Sequence, residues 1–317
     1  MNYELSPNWR TLYICSAARC GSTITDMFIG GHSQAASLGE VNLLGKAISL
    51  QQTCSCGANV PDCAYWNLVY QELATSMGVD IKADPYTYSL WDALAVTVVD
   101  KRKQTSSYKM AVYLRKVWLE MRYRTGNKLP LLNSQIKALK NKLFLYDAVA
   151  QKWCKKVIVD SSKNAREAVE LNKMAPGKVK IVLISRDGRG VYHSRRKSHF
   201  TQRKSLKGWM NYYKRAQPLL EKEVDPADLL IIRYEDLAAK PREVGNKLCE
   251  FISLGFEESM LNLGAATRHI VNGNDTRLSA DKGIQLDEKW RSELMDDELE
   301  YFIRSGGEEL NQRLGYM

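Results

Sequence analysis

A chain of 317 residues, 44% hydrophobic and 26% charged, holds enough apolar material for a full core, which excludes a disordered or fibrous protein. Its net charge of +10 points to a polyanionic partner (nucleic acid, an anionic membrane, an acidic polymer or a phosphate-rich small molecule) without choosing among them. No apolar run approaches the ~20 residues that span a bilayer, the polar start MNYELSPNWR is no secretion signal, and seven cysteines suit a reducing compartment better than a disulfide scaffold; a soluble, cytoplasmic protein is expected.

The first apolar run with the length of a buried strand is residues 11–16, TLYICS. It leads into CSAARCGST, where small residues and Gly21 precede a helix beginning near Ser22. The first turn of such a helix offers free backbone N–H groups and a positive dipole end, an anion cradle. Arg19 adds a fixed charge, and the hydroxyls of Ser22 and Thr23 can donate to phosphate oxygens. The plain alternative is a capped helix after a strand. A nucleoside-triphosphate loop needs Gly-x-x-x-x-Gly-Lys-[Ser/Thr]; here Ser16 replaces the first glycine, and no lysine stands between Gly21 and Ser22.

Next, HSQAASLGEVNLLG reads as a short strand ending at Gly39, with Glu40 before a helix that begins near Val41. CSCGANVPDCAYW holds Cys54, Cys56 and Cys63. Disulfide pairing, free thiols and metal binding are all open for them, but the spacing shows no fourth ligand and differs from the paired Cys-x-x-Cys of common zinc ribbons, so no metal site is assigned. Residues of about 85–150 are helical and rich in Lys, Arg, Leu, Trp and Tyr, an insertion expected to cap the ligand edge of the sheet. Its Trp91, Tyr108, Tyr113, Trp118 and Tyr123 are either packing residues or the wall of a pocket for a sugar, lipid headgroup or aromatic alcohol.

Three more strands follow: residues 156–160 (KVIVD), 179–185 (VKIVLIS) and 229–234 (LLIIRY). Alternation of strands with helical stretches argues for a parallel sheet covered by helices. VIVD imitates a magnesium-binding strand end and is followed by Ser161, Ser162 and Lys163. In KIVLISRDGRGVYHSRRKSH a strand runs into Arg186; with a helix from about Asp187, Ser194 lies two turns on, so both side chains can meet one anionic group. Residues 287–314 carry helical spacing around Trp290, Leu294, Leu299 and Phe302, the pattern of a packing helix.

Together these stretches resemble the sulfotransferases that use 3′-phosphoadenosine 5′-phosphosulfate (PAPS). The family's [Arg/Lys]-x-Gly-[Ser/Thr]-[Ser/Thr] loop for the 5′-phosphosulfate is met by Arg19, Cys20, Gly21, Ser22 and Thr23, and its Arg followed eight residues later by Ser, for the 3′-phosphate, by Arg186 and Ser194. IIRYEDLAAKPREVGNKLCEFI looks like the family's late strand and helix with Tyr-Glu-Asp, while VIVDSSKNAREAVEL and HIVNGNDTR are similar to bacterial and Golgi-type members. The resemblance implies a single sulfotransferase domain over residues 1–317, α/β in class, with a P-loop-like central parallel β-sheet flanked by helices. It implies sulfuryl transfer from PAPS, leaving PAP, with no metal required in principle.

By the same resemblance Arg19 stabilises the leaving phosphate and Lys163 the sulfuryl oxygens. The histidine base of cytosolic members is missing from VDSSKNA; branches that include the protein-tyrosine and trehalose enzymes use a glutamate after the first loop and helix, which implies Glu40, with His32 in reserve. The resemblance also implies Arg277 in GNDTR for a missing C-terminal Arg-Lys-Gly and Tyr234 near the adenine, where a buried strand-end tyrosine is the plain alternative. The implied partner is an acceptor small molecule or glycan (a glycan, glycolipid or secondary metabolite, with a hydroxyl favoured over an amine), with no nucleic acid and no stable membrane insertion. Oligomeric state is not legible. Two rival readings remain: an ATP-dependent small-molecule kinase with a degenerate P-loop, and a non-catalytic polyanion-binding module.

Overall fold

The computed structural model describes residues 5–90, 100–264, 266–278 and 283–317; Trp91 lies outside them. Five strands form one parallel sheet: β1 (Arg10–Ser16), β2 (Ala35–Gly39), β3 (Val157–Asp160), β4 (Val179–Ser185) and β5 (Leu229–Arg233), in the order β2-β3-β1-β4-β5. β2, AASLG, has no β-branched residue yet is buried throughout; burial and pairing with β3, rather than propensity, make it a strand. β1 lies inside the sheet with neighbours on both sides, so the loops after β1, β3 and β4 leave from one edge, where strand order reverses and ligands of open α/β sheets bind.

The described helices are α1 (Ser22–Ile29), α2 (Leu44–Ser49), α3 (Ala64–Met77), α4 (Ser106–Arg124), α5 (Asn133–Lys152), α6 (Ala165–Met174), α7 (Gly188–Lys197), α8 (Gln202–Glu223), α9 (Tyr234–Ala239), α10 (Pro241–Phe251), α11 (Trp290–Glu293), α12 (Asp296–Arg304) and α13 (Gly307–Arg313). Alternation along β1 sends Tyr13 and Cys15 into one layer with α3, α5, α6 and α8, and Leu12 and Ile14 into the other with α1 and α10. The single helical stretch expected over 287–314 is three short helices. Leu294, in an extended conformation, and left-handed Gly306 (φ 81°) interrupt it.

Of the two helices described within the expected insertion, α4 exposes Met110, Tyr113, Leu114 and Met121, whereas α5 is largely core. Lys142 of α5 is fully buried. Its ammonium lies 2.8 Å from Asp160 Oδ2, 2.8 Å from Glu167 Oε1 and 2.7 Å from Asn42 Oδ1. The Tyr146 hydroxyl donates to Asp160 (2.5 Å) and the Tyr13 hydroxyl to Glu167 (2.7 Å). A buried cation shared by two carboxylates is strongly coupled, because removing it leaves both acids uncompensated. Lys142→Met is therefore expected to lower the unfolding free energy by about 3–5 kcal/mol, read from urea titration; a loss no larger than that of an exposed lysine variant contradicts the account.

Candidate active site

The loop after β1 turns sharply enough to place Arg19 (φ 73°) and Gly21 (φ 89°) in left-handed backbone. Gly21 caps α1, and a Cβ there would stand 2.5 Å from Tyr234 Cδ2, so only glycine fits. The first intrahelical bond runs from Thr25 N–H to Gly21 O (2.9 Å), which leaves the N–H groups of Ser22, Thr23 and Ile24 ahead of the helical ladder. These three residues line a cavity of about 590 Å³.

The same cavity gathers side chains from four other parts of the chain. Glu40 follows β2, Lys163 follows β3, Arg186 follows β4 and Ser194 sits on α7. The Lys163 ammonium is 2.5 Å from Glu40 Oε1, and both side chains are partly exposed. Lys163 is itself left-handed (φ 67°), held by its N–H to Ile14 O (3.2 Å) and by the Tyr212 hydroxyl, which donates to its carbonyl (2.8 Å). Glu40 is fixed through its backbone N–H, which donates to Val271 O (3.0 Å).

Buried Arg186 donates to Arg19 O (3.2 Å) and to Asp287 O and Oδ2 (2.9 and 3.0 Å), with its guanidinium 4.8 Å from the Tyr234 ring centre. Burial raises Asp287, but the hydrogen bond and charge of Arg186 outweigh it and hold the carboxyl below its usual range. Tyr234 is clamped in turn: its ring packs on Gly21 and its hydroxyl donates to Gln285 O (2.7 Å). Arg19 reaches Ser198 Oγ (3.0 Å), tying the loop to the end of α7.

Residues 12–258 match the model of the family described as "Sulfotransferase family". The chain belongs to the sulfotransferase family. Among solved structures it is similar to the sulfotransferase domain from the curacin biosynthetic pathway (17% identity over 98% of this chain and 99% of that one, TM-score 0.51). A second is the sulfotransferase domain from the Synechococcus PCC 7002 olefin synthase (16% identity, 95% and 97% covered, TM-score 0.52). At these identities the likeness speaks for the fold, a P-loop-like parallel sheet flanked by helices. No curated protein matches the sequence significantly.

In this sulfotransferase Arg19, Gly21, Ser22, Thr23, Glu40, Lys163, Arg186, Ser194 and Tyr234 all line the one cavity. Three candidates read from the sequence, Cys20, Arg277 and the reserve base His32, do not. The Cys20 side chain is buried, its thiol pushed up to about 12 by burial, and Arg277 is buried with its guanidinium donating to Thr53 O (2.7 Å). Its neighbours Asn274 and Thr276 line the cavity instead. His32 also lies apart, against Gly255 O (2.8 Å). Gln285 and Asp287, which also line the cavity, escaped the sequence reading because they enter from a loop before α11 with no motif around them.

Asp26 is a further buried group behind the site. Its Oδ2 accepts from Ser161 Oγ (2.7 Å) and Gly39 N–H (3.1 Å), so it joins α1 to the strand ends that precede Glu40 and Lys163. Burial pushes its carboxyl up to about 7. Between the unfolded value of about 3.9 and about 7 the folded chain keeps a proton that the unfolded chain has lost; this contribution is full at low pH and vanishes as pH rises through that window. Asp26→Asn, which mimics the neutral acid, should gain stability over wild type by on the order of 3 kcal/mol between about pH 4 and 7.5. Denaturant titrations at the two pH values that give parallel responses would refute the raised carboxyl.

Proposed function

We propose that this sulfotransferase moves a sulfuryl group from PAPS to an acceptor hydroxyl by in-line displacement, with Glu40 as general base. The observation that carries the reading is the meeting, in one cavity, of the first turn of α1, Arg186 with Ser194, and the Lys163–Glu40 pair. The N–H groups of Ser22 and Thr23, their hydroxyls and Arg19 would hold the 5′-phosphosulfate and take up charge on the leaving phosphate. Arg186 and Ser194 give a 3′-phosphate its partners, and Tyr234 is the aromatic group beside them. Lys163 would leave Glu40 for the sulfuryl oxygens as the donor settles, which frees the carboxylate to accept the acceptor's proton.

A second cavity of about 670 Å³ shares Lys163 and is lined by Glu120, Tyr123, Arg124, Arg166, Tyr212 and Arg215 among others. It supports an acceptor chamber walled by α4, for a hydroxylated ligand such as a glycan, glycolipid or secondary metabolite, with cations for any acidic group it carries. The reading treats the whole chain as one sulfotransferase domain with the helical segment of about 85–150 built into it. It places the reaction in a reducing, cytoplasmic compartment on the strength of the odd cysteine number. Among the described residues no helix is long and apolar enough to cross a membrane.

The kinase reading lacks the lysine that would reach the outer phosphates. Calorimetry separates the two. Adenosine 3′,5′-bisphosphate should bind without magnesium, and Arg186→Ala should weaken it about 10–100-fold, the value of hydrogen bonds to a charged group. Binding confined to ATP with magnesium would instead favour the kinase. Glu40→Gln should keep bisphosphate affinity while kcat falls by about 10²–10⁴; full turnover in that variant removes Glu40 as base, and a bisphosphate binder with no transferase activity in wild type would be the non-catalytic module.

A further inference from the structure

The CSCGANVPDCAYW stretch plays no part in the cavity, yet the fold completes it. Cys54, Cys56 and Cys63 meet His269, and the four ligand atoms lie within 4.8 Å of one another. All seven cysteines carry free thiols. Cys56 Sγ is 3.7 Å from Cys63 Sγ, and Cys63 Sγ is 3.3 Å from His269 Nδ1. A tetrahedral zinc ion, with Zn–S of ~2.3 Å and Zn–N of ~2.0–2.1 Å, sets S···S edges of about 3.8 Å and S···N edges of about 3.5 Å. A disulfide would need its sulfurs at ~2.05 Å. These two separations are close to the edges around one ion, and all four ligand atoms lie within 4.8 Å of one another.

The surroundings hold the four groups in place. Cys54 and Cys56 share a tight turn in which Cys54 N–H donates to Ala58 O (2.8 Å), Gly57 N–H donates to Cys54 O (2.9 Å), and left-handed Gly57 (φ 93°) reverses the chain. Cys63 stands at the N-terminus of α3. The His269 ring is stacked on Tyr65 (centroids 4.0 Å apart) and set edge-on to Trp153 (5.5 Å), and its carbonyl accepts from Trp66 Nε1 (2.8 Å). The imidazole is thereby aimed, with Nδ1 toward the thiols, before any ion arrives.

We propose that Cys54, Cys56, Cys63 and His269 hold a single structural zinc ion. Three thiolates and one imidazole fill a tetrahedral shell and leave no position for substrate, which separates this site from a catalytic one. Soft sulfur donors with one imidazole select zinc over magnesium, calcium or manganese. The ion would join two parts of the chain that are remote in sequence. Beyond His269, Val271 N–H donates to Leu38 O (2.9 Å) and Val271 O accepts from Glu40 N–H; two residues further, Gly273 to Thr276 line the donor cavity. Zinc here anchors the segment against which Glu40 is set.

The test is elemental analysis of full-length protein purified under reducing conditions without chelator. About one zinc per chain is expected, lost in His269→Ala and Cys56→Ser but kept in Cys154→Ser, whose thiol is exposed and is not one of the four ligand groups. Cobalt(II) added to chelator-stripped protein should give the thiolate charge-transfer and strong visible bands of a tetrahedral sulfur site. Wild-type protein with no stoichiometric zinc and no cobalt spectrum would overturn the proposal, as would a disulfide between two of these cysteines found by mass after thiol blocking. Because wild type alone decides the matter, a variant that fails to fold does not protect the idea. The metal content is also independent of bisphosphate binding, so it stands or falls apart from the reaction proposed above.

Discussion

The buried ammonium of Lys142 is what the cavity edge of the sheet hangs on. Asp160, which it neutralises, is the last residue of β3, and its second oxygen accepts from Ser162 N–H (2.7 Å). Glu167, its other partner, binds the Asn42 amide (2.6 Å) and the Tyr13 hydroxyl, which in turn accepts from Asn164 N–H (3.3 Å). Asn42 N–H donates to Ser162 Oγ (3.2 Å). Residues 161–164 and the turn after Glu40 are thus strung across one polar node, which sets Lys163 and Glu40 within reach of each other. Such a node is worth its desolvation only when every member is satisfied, so the geometry of Lys163 and Glu40 is inherited from a buried polar network behind them.

The cavity is preorganised by charges that are already paired. Arg186 rests on Asp287 and Lys163 on Glu40, so neither cation lacks a partner before an anion arrives. A phosphate monoester entering such a site would exchange one carboxylate for a more highly charged oxygen cluster. Reorganisation stays small because the guanidinium of Arg186 is also held by Arg19 O and by the Tyr234 ring. The backbone contributes the other half of the field through the open first turn of α1, whose approach requires a residue without a side chain at Gly21.

Much of this was legible in the sequence, for identifiable reasons. Four strands announce themselves as short apolar runs, and the loop and Arg186/Ser194 spacings lie in local order, so most of the residues they single out do line one cavity. What was hidden depends on contacts between distant segments. Arg277 belongs to a motif-like stretch, but the fold turns its guanidinium to Thr53 and offers Asn274 and Thr276 to the cavity. His269 lies 206 residues from Cys63, a separation at which spacing rules for metal ligands are silent. The helical segment before β3 was read as one cap, whereas α5 buries Leu139, Leu143, Phe144, Leu145 and Val149 in the core, and its Lys142 finds two acids that only the folded sheet brings together.

Lys163 stands in the wall between the two cavities and belongs to the lining of both. For the transfer proposed here, one ammonium at a shared wall ties the timing of the two ligands together: it cannot serve the migrating group until the donor is seated, and the receiving group must already be present on the other side. No protein atom needs to carry the sulfuryl in between. Turnover would then pass through a ternary complex, and a single displacement would invert the configuration at sulfur, an outcome that a chiral, isotope-labelled donor would report and that a double displacement would reverse.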